Sequence, residues 1–163
     1  MPFEPFFERF GDIAEKETRS IIVRNSPDLP DDKFIFLEMY CNDENCDCRR
    51  VFFRVVSGEN YAVLAVITFG WEDSEFYSRW YHEKDPQIIR EIQGPILNST
   101  SQQSVLAPAL LNLVRDSLLK DPAYIEQIKR HYWMFKEKVD SKHFKATSIS
   151  RKQNTQSGKN RKG

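Results

Sequence analysis

The chain lacks any run of about 18 apolar residues, the length that a membrane-spanning helix needs. Its first residues, with Glu4 and Glu8 among phenylalanines, have neither the basic start nor the continuous apolar core of a secretory signal. Both absences predict a cytoplasmic protein with no membrane partner. Cysteine is scarce and odd in number: the three in 163 residues all fall between Cys41 and Cys48. That is a poor basis for a disulfide framework and a good one for a metal site or a redox thiol. There is no Ser/His/Asp order, no glycine-rich phosphate loop, no paired-carboxylate motif and no internal repeat, so the familiar hydrolytic and nucleotide chemistries have no support. Acids are missing from residue 144 onward. Six of the 24 cations (Lys145, Arg151, Lys152, Lys159, Arg161 and Lys162) lie there, whereas all 24 acids precede them, so the zero net charge joins an acidic body to a basic tail.

At 40% hydrophobic and 13% aromatic residues the chain can fill one core. We expect a single α+β domain over 1–143 and a basic tail over 144–163. The tail, rich in Ser, Asn, Gln and Lys, buries too little apolar surface to offset its ordering entropy and is predicted to be disordered. Such a terminus ordinarily keeps a protein soluble; its sharper use would be an arm contacting RNA by counterion release.

Phe3, Phe6, Phe7, Phe10, Ile13 and Ala14 recur at helical spacing and predict an amphipathic N-terminal helix, weakened by Gly11. Thr18 to Arg24 reads as a strand ending in a turn rich in proline and aspartate. Lys33 to Cys41, Arg49 to Ser57 and Tyr61 to Gly70 are dense in Val, Ile, Phe and Tyr and predict an antiparallel meander, giving about four strands in all, packed with N-terminal and C-terminal helices. The third of these runs is apolar on both faces and is expected to be covered on both. Glu38 and Arg54 are candidates for a cross-strand pair. Asp73 or Ser74, Asp85-Pro86 and Asp121-Pro122 carry cap signals for three later helices, and Val105 to Leu118 outlines a further one running over Gln102 to Leu119. In the last helix Tyr124, Ile128, His131, Phe135 and Val139 recur at steps of three or four.

The cysteines, spaced C-x4-C-x-C, occupy a polar loop between two strongly apolar strands. Cys46 and Cys48 are two apart and face one side of an extended segment, and Cys41 can turn back across the loop, so three thiolates can meet at one zinc ion. His131, on the inward stripe of the last helix, is the favoured fourth ligand; its ordinary role would be a core histidine bonded to a carbonyl. With His131 as a ligand the loop would clasp the sheet to the helix. Asp43, Glu44 and Asp47 oppose thiolate formation unless a cation is present, which favours metal. The competing reading is a thiol-dependent or redox enzyme at Cys46 or Cys48, whose thiol pKa Arg49 and Arg50 would lower. Arg49 and Arg50 are also candidate binding residues, although adjacent arginines on a strand face opposite ways. Trp71, Phe76, Tyr77, Trp80 and Tyr81 read as core cover before they read as a base-stacking platform.

Glu17-Thr18-Arg19, Leu37 to Cys41, Cys46 to Val51, Phe69 to Glu72 with Phe76, Tyr77 and Trp80, and Lys129 to Tyr132 with Phe135 together resemble an uncharacterised bacterial domain that in some relatives precedes a SEC-C zinc motif. The resemblance spans roughly residues 1–143 and implies a small α+β module of unknown activity whose distinctive feature is the Cys46-Asp47-Cys48-Arg49-Arg50 loop. The SEC-C motif itself is absent, since no cysteine follows residue 144. The reading that results is a zinc-stabilised, non-enzymatic adaptor for a protein or nucleic-acid partner, with the thiol enzyme and the RNA-contacting tail as alternatives.

Overall fold

Alternation with period two decides the sheet. Along β3 (Asp32–Cys41) the side chains of Phe34, Phe36, Glu38 and Tyr40 point to one face and are buried, joined there by Val51, Phe53 and Val55 of β4 (Arg50–Ser57) and by Ala65 and Ile67 of β5 (Val63–Gly70). Fully burying each Phe or Ile stabilises the fold by about 1.5–3 kcal/mol before entropy is counted. The computed structural model describes residues 2–140; the predicted basic tail and the end of the predicted domain at 143 lie outside the described residues.

The fold is α+β. Six strands form one antiparallel sheet in the order β1-β3-β4-β5-β6, with β2 (Arg19–Val23) also paired to β3. β3, β4 and β5 make the expected meander. β1 (Phe3–Pro5) and β2 lie end to end along the free edge of β3, and β6 (Ile96–Leu97) adds a short rung beyond β5. The apolar run of β5 is buried on one face only; Leu64 and Val66 on the other are half-covered and Val63 is exposed.

The predicted N-terminal helix is three pieces. β1 is followed by α1 (Phe6–Arg9) and α2 (Gly11–Glu17), with a break at Phe10, whose φ of −132° is not helical. After β5 come α3 (Ser74–Tyr81) and α4 (Pro86–Gln93), then α5 (Ala107–Asp116) and α6 (Pro122–Val139), separated by a single 3-10 turn at Leu118–Lys120. Asp73, Asp85 and Asp121 cap α3, α4 and α6 by accepting from the amides of Phe76, Gln87 and Ala123 at 2.8–2.9 Å. Each such cap is worth about 1 kcal/mol. α5 starts five residues later than predicted because Pro108 belongs to its first turn, where a missing amide costs nothing.

Two expectations are corrected in the core. Glu38 pairs in register with Phe53, and Arg54 with Leu37, so Glu38 and Arg54 point to opposite faces and make no cross-strand pair. Glu38 instead accepts from the hydroxyls of Tyr40 at 2.7 Å and Tyr124 at 2.6 Å and meets Nδ1 of His131 at 2.6 Å. His131 is therefore held by carboxylates, and the group of described residues placed to hold a metal is Cys41, Cys46 and Cys48 without it. Its Nε2 meets Glu17 at 2.6 Å, Phe6 stacks on its ring at 4.2 Å, and both ring nitrogens are committed to carboxylates. Arg130 also reaches Glu17, at 3.1 Å. Burial opposes the charged imidazole, but Glu38 and Glu17 outweigh it and raise the His131 pKa above its ordinary value. Glu17 is lowered, chiefly by the His131 hydrogen bond.

The signs give a window. A raised histidine contributes fully below its unfolded pKa, about 6.5, and loses that contribution as pH rises through the folded value. The lowered Glu17 contributes above the ordinary glutamate pKa and loses it as pH falls through the folded value. Thermal melts should therefore show a plateau between the two ranges and a decline above about pH 6.5 that is missing in His131→Gln. His131→Leu, which strands Glu38 with hydroxyl partners alone, should destabilise by about 3 kcal/mol in urea titrations.

Candidate metal centre

The loop from Asn42 to Arg49 is built from backbone bonds that a polar sequence can supply. Asp43 folds it twice: its carboxylate accepts from the Asn45 amide at 3.0 Å, an Asx turn, and its carbonyl accepts from the Cys46 amide at 3.1 Å. The Asn42 amide donates to the Pro2 carbonyl at 2.9 Å, tying the loop to the strand edge. Arg49 takes a left-handed φ of 50° just before β4 begins, which redirects the chain into the sheet. That conformation is unfavourable for arginine and is held from both sides. The Arg49 amide donates to the Tyr132 hydroxyl at 3.2 Å, and the Tyr77 hydroxyl donates to the Arg49 carbonyl at 2.7 Å.

This path brings the three sulfurs of Cys41, Cys46 and Cys48 within 4.8 Å of one another. Cys41 and Cys48 are fully buried and Cys46 is half-buried; all three are free thiols. They share hydrogen bonds. Contact with Cys48 lowers the Cys41 pKa to about 6 and also lowers that of Cys46. The Asp43 amide, 3.4 Å from the Cys41 sulfur, and the Lys136 charge act in the same direction on Cys41. Cys48 itself is held protonated by its two neighbours and by burial. Three sulfurs at a point make a ready donor set for a soft or borderline cation, which would take the place of the thiol protons.

The other predicted residues divide. Arg49 lies beside the cluster, but its guanidinium is bidentate to Asp47 at 2.9 Å, reaches Glu72 at 3.2 Å and sits over Phe76 and Trp133 at 4.8 and 5.3 Å. Its place is structural. Arg50 turns the other way, donates to the Ile92 carbonyl at 3.1 Å and is deeply set. Of the aromatic run, Tyr77 is buried, Trp71 packs edge-on to Tyr132 at 5.1 Å, and Tyr81 is exposed. The run is core cover and loop anchor.

Three loop anchors were not legible as such in the sequence: Lys136, Tyr132 and Tyr77. Lys136 is 6% exposed, and its ammonium donates to the Asp43 carbonyl at 2.6 Å, straight into the turn of the loop. It stands four residues after Tyr132 on the buried face of α6, and a lysine on an apolar stripe was the signal to read.

Gly70 closes the anchor. A methyl there would overlap the Tyr77 phenol, which lies against it. Gly70→Ala should therefore push Tyr77 off the Arg49 carbonyl, destabilise by about 1–3 kcal/mol and loosen the loop. Peptide mapping after iodoacetamide should show Cys46 labelled first in the parent protein, and Cys48 labelled nearly as fast in the variant. Among protein-family models, curated proteins and solved structures, none matches the chain.

Proposed function

We propose that Cys41, Cys46 and Cys48 hold a zinc ion and that the chain serves as a zinc-stabilised, non-enzymatic adaptor module. The observation that carries this is the convergence of the three sulfurs within 4.8 Å. A tetrahedral zinc with bonds of about 2.3 Å sets its sulfurs about 3.8 Å apart, so closing the site requires shifts of about 1 Å at most. A disulfide would require an approach to about 2.0 Å, and for Cys46 and Cys48, two residues apart, a strained ring as well. Zinc would fix the loop that joins the two longest neighbouring strands, leaving the outer loop surface, with Asp43 and Glu44, as the face offered to a protein partner. The resemblance to the bacterial domain described above fits such a module and stands with it as a proposal.

The thiol-enzyme reading rests on Cys46, half-exposed with a lowered pKa. Among the described residues its candidate helpers are engaged elsewhere: His131 with Glu17 and Glu38, and Arg49 with Asp47 and Glu72.

Protein purified without chelator should carry about one equivalent of zinc, and Cys48→Ser should lose it, whereas His131→Gln should keep it. Less than about half an equivalent, with three freely titratable thiols, would sink the metal reading. A rapid single-site reaction of Cys46 with iodoacetamide near pH 7 in zinc-free protein would favour the enzyme instead.

A further inference from the structure

An antiparallel sheet covered on one face ordinarily turns polar side chains outward on the other. Here α6 lies on the face of Glu38 and Phe53, where Tyr124 meets both, yet the opposite face of β3, β4 and β5 is apolar as well. Ile35 and Leu37 of β3, Phe52 of β4, and Leu64 and Val66 of β5 project there and are half-exposed. Among the described residues, α3 and α4 close the end of this face nearest the cysteine loop, where Tyr77 lies against Gly70 and Arg50 donates to the Ile92 carbonyl at 3.1 Å. At the other end Ile22, in register with Lys33, is 62% exposed. Arg54 stands in the middle, opposite Leu37 on one side and Val66 on the other, with Phe52 and Val56 two residues away along β4. Neither Arg54 nor Lys33 takes part in an ion pair among the described residues. No acid occupies an outward position of β2 to β5 on this face, although residues 1–143 hold 24 acids to 18 cations. The open face is thus apolar and cationic on an acidic body.

We propose that this face is the docking surface for an amphipathic helix of a partner protein, one whose apolar stripe carries a carboxylate at its middle that pairs with Arg54. β3 and β5 stand about 10 Å apart across β4, the width of one α-helix, so a helix laid along β4 covers Ile35 and Leu37 on one side and Leu64 and Val66 on the other. A guanidinium ringed by apolar side chains loses its water when the face is covered, and a carboxylate that arrives with the cover offsets that loss through a charge-assisted hydrogen bond. A second copy of the chain, packed by two-fold symmetry about this face, would instead set Arg54 against its like. A lipid surface takes up a helix that inserts its apolar side, not a flat sheet with a cation at its centre. The proposal goes beyond the metal reading and makes no use of the thiols.

The test presents the full chain to a display library of helical peptides of about 15 residues, four turns long, with a fixed leucine stripe and a randomised position at its middle. Leu37→Lys is the counter-target, and Leu37→Gln replaces it if the lysine variant does not fold by circular dichroism. Peptides selected on the parent protein should carry Asp or Glu at the middle position and, in fluorescence anisotropy, should bind Arg54→Gln about tenfold more weakly. Arg54→Glu should select Lys or Arg there instead, an exchange that a merely misfolded variant would not produce. No enrichment over the Leu37 variant, or enrichment without a central acid, overturns the proposal and leaves the metal reading standing. Sedimentation showing a dimer that Leu37→Lys abolishes would give the face to a second copy. Binding to vesicles of phosphatidylcholine and phosphatidylserine that Arg54→Gln abolishes would give it to a membrane. Either result also overturns the proposal.

Discussion

An imidazole buried between two carboxylates admits one geometry. Removing the imidazole and the Glu38 carboxylate from water is costly, and the loss is offset only while each stays within hydrogen-bond reach of its partner. Glu38 projects from the middle of β3, Glu17 ends α2, and His131 lies midway along α6. The three contacts at 2.6–3.1 Å that join them with Arg130 therefore fix the N-terminal helices, the sheet and the last helix relative to one another. Apolar packing alone would let α6 slide by a turn at modest cost. The Tyr40 and Tyr124 hydroxyls, both on Glu38, remove that freedom, because a shifted helix would strand a buried carboxylate.

The cysteine loop inherits this precision. With His131 placed, Tyr132 is next to it, and Phe135 and Lys136 follow within about one turn. Tyr132 holds the Arg49 amide and Asp47, and Lys136 holds the Asp43 carbonyl, so α6 grips the loop at both ends of its cysteine triplet. Tyr77 of α3 holds the Arg49 carbonyl from the far side. The left-handed Arg49 is tolerated because two helices, α6 and α3, hold its amide and its carbonyl at once.

Much of this was legible in the sequence, and the rest was not for physical reasons. Period-two alternation showed β3, β4 and β5, and Asp-Pro capping showed α4 and α6, since both signals are local. β1 and β6 escaped because strands of three and two residues carry too little pattern and are defined by partners far along the chain. The thiol cluster was legible because a polar loop enclosed it. The partner of His131 was not: a stripe gives the face of a helix, but what stands opposite depends on the register of β3 against β4. Alternation with Phe34 and Phe36 turns Glu38 inward, but which helix residue meets it there is set far along the chain, and that unknown made His131 look free for a metal.

That correction changes what the cysteines are for. If His131 had completed the site, a metal would have clasped sheet to helix, and the loop would have been a stabilising device. The clasp exists, but carboxylates and an imidazole make it, together with the Lys136 bond, without any sulfur. Three thiols crowded at one point are then costly to ionise together, since each negative sulfur opposes the next, as the raised pKa of Cys48 shows in direction. A cost of that kind, held on a loop whose every anchor comes from elsewhere, makes sense where the thiols meet a cation. The cluster sits at the edge of the core, with Cys41 and Cys48 buried in it and Cys46 at its rim, so a cation held there would be fixed by the same packing that fixes the sheet.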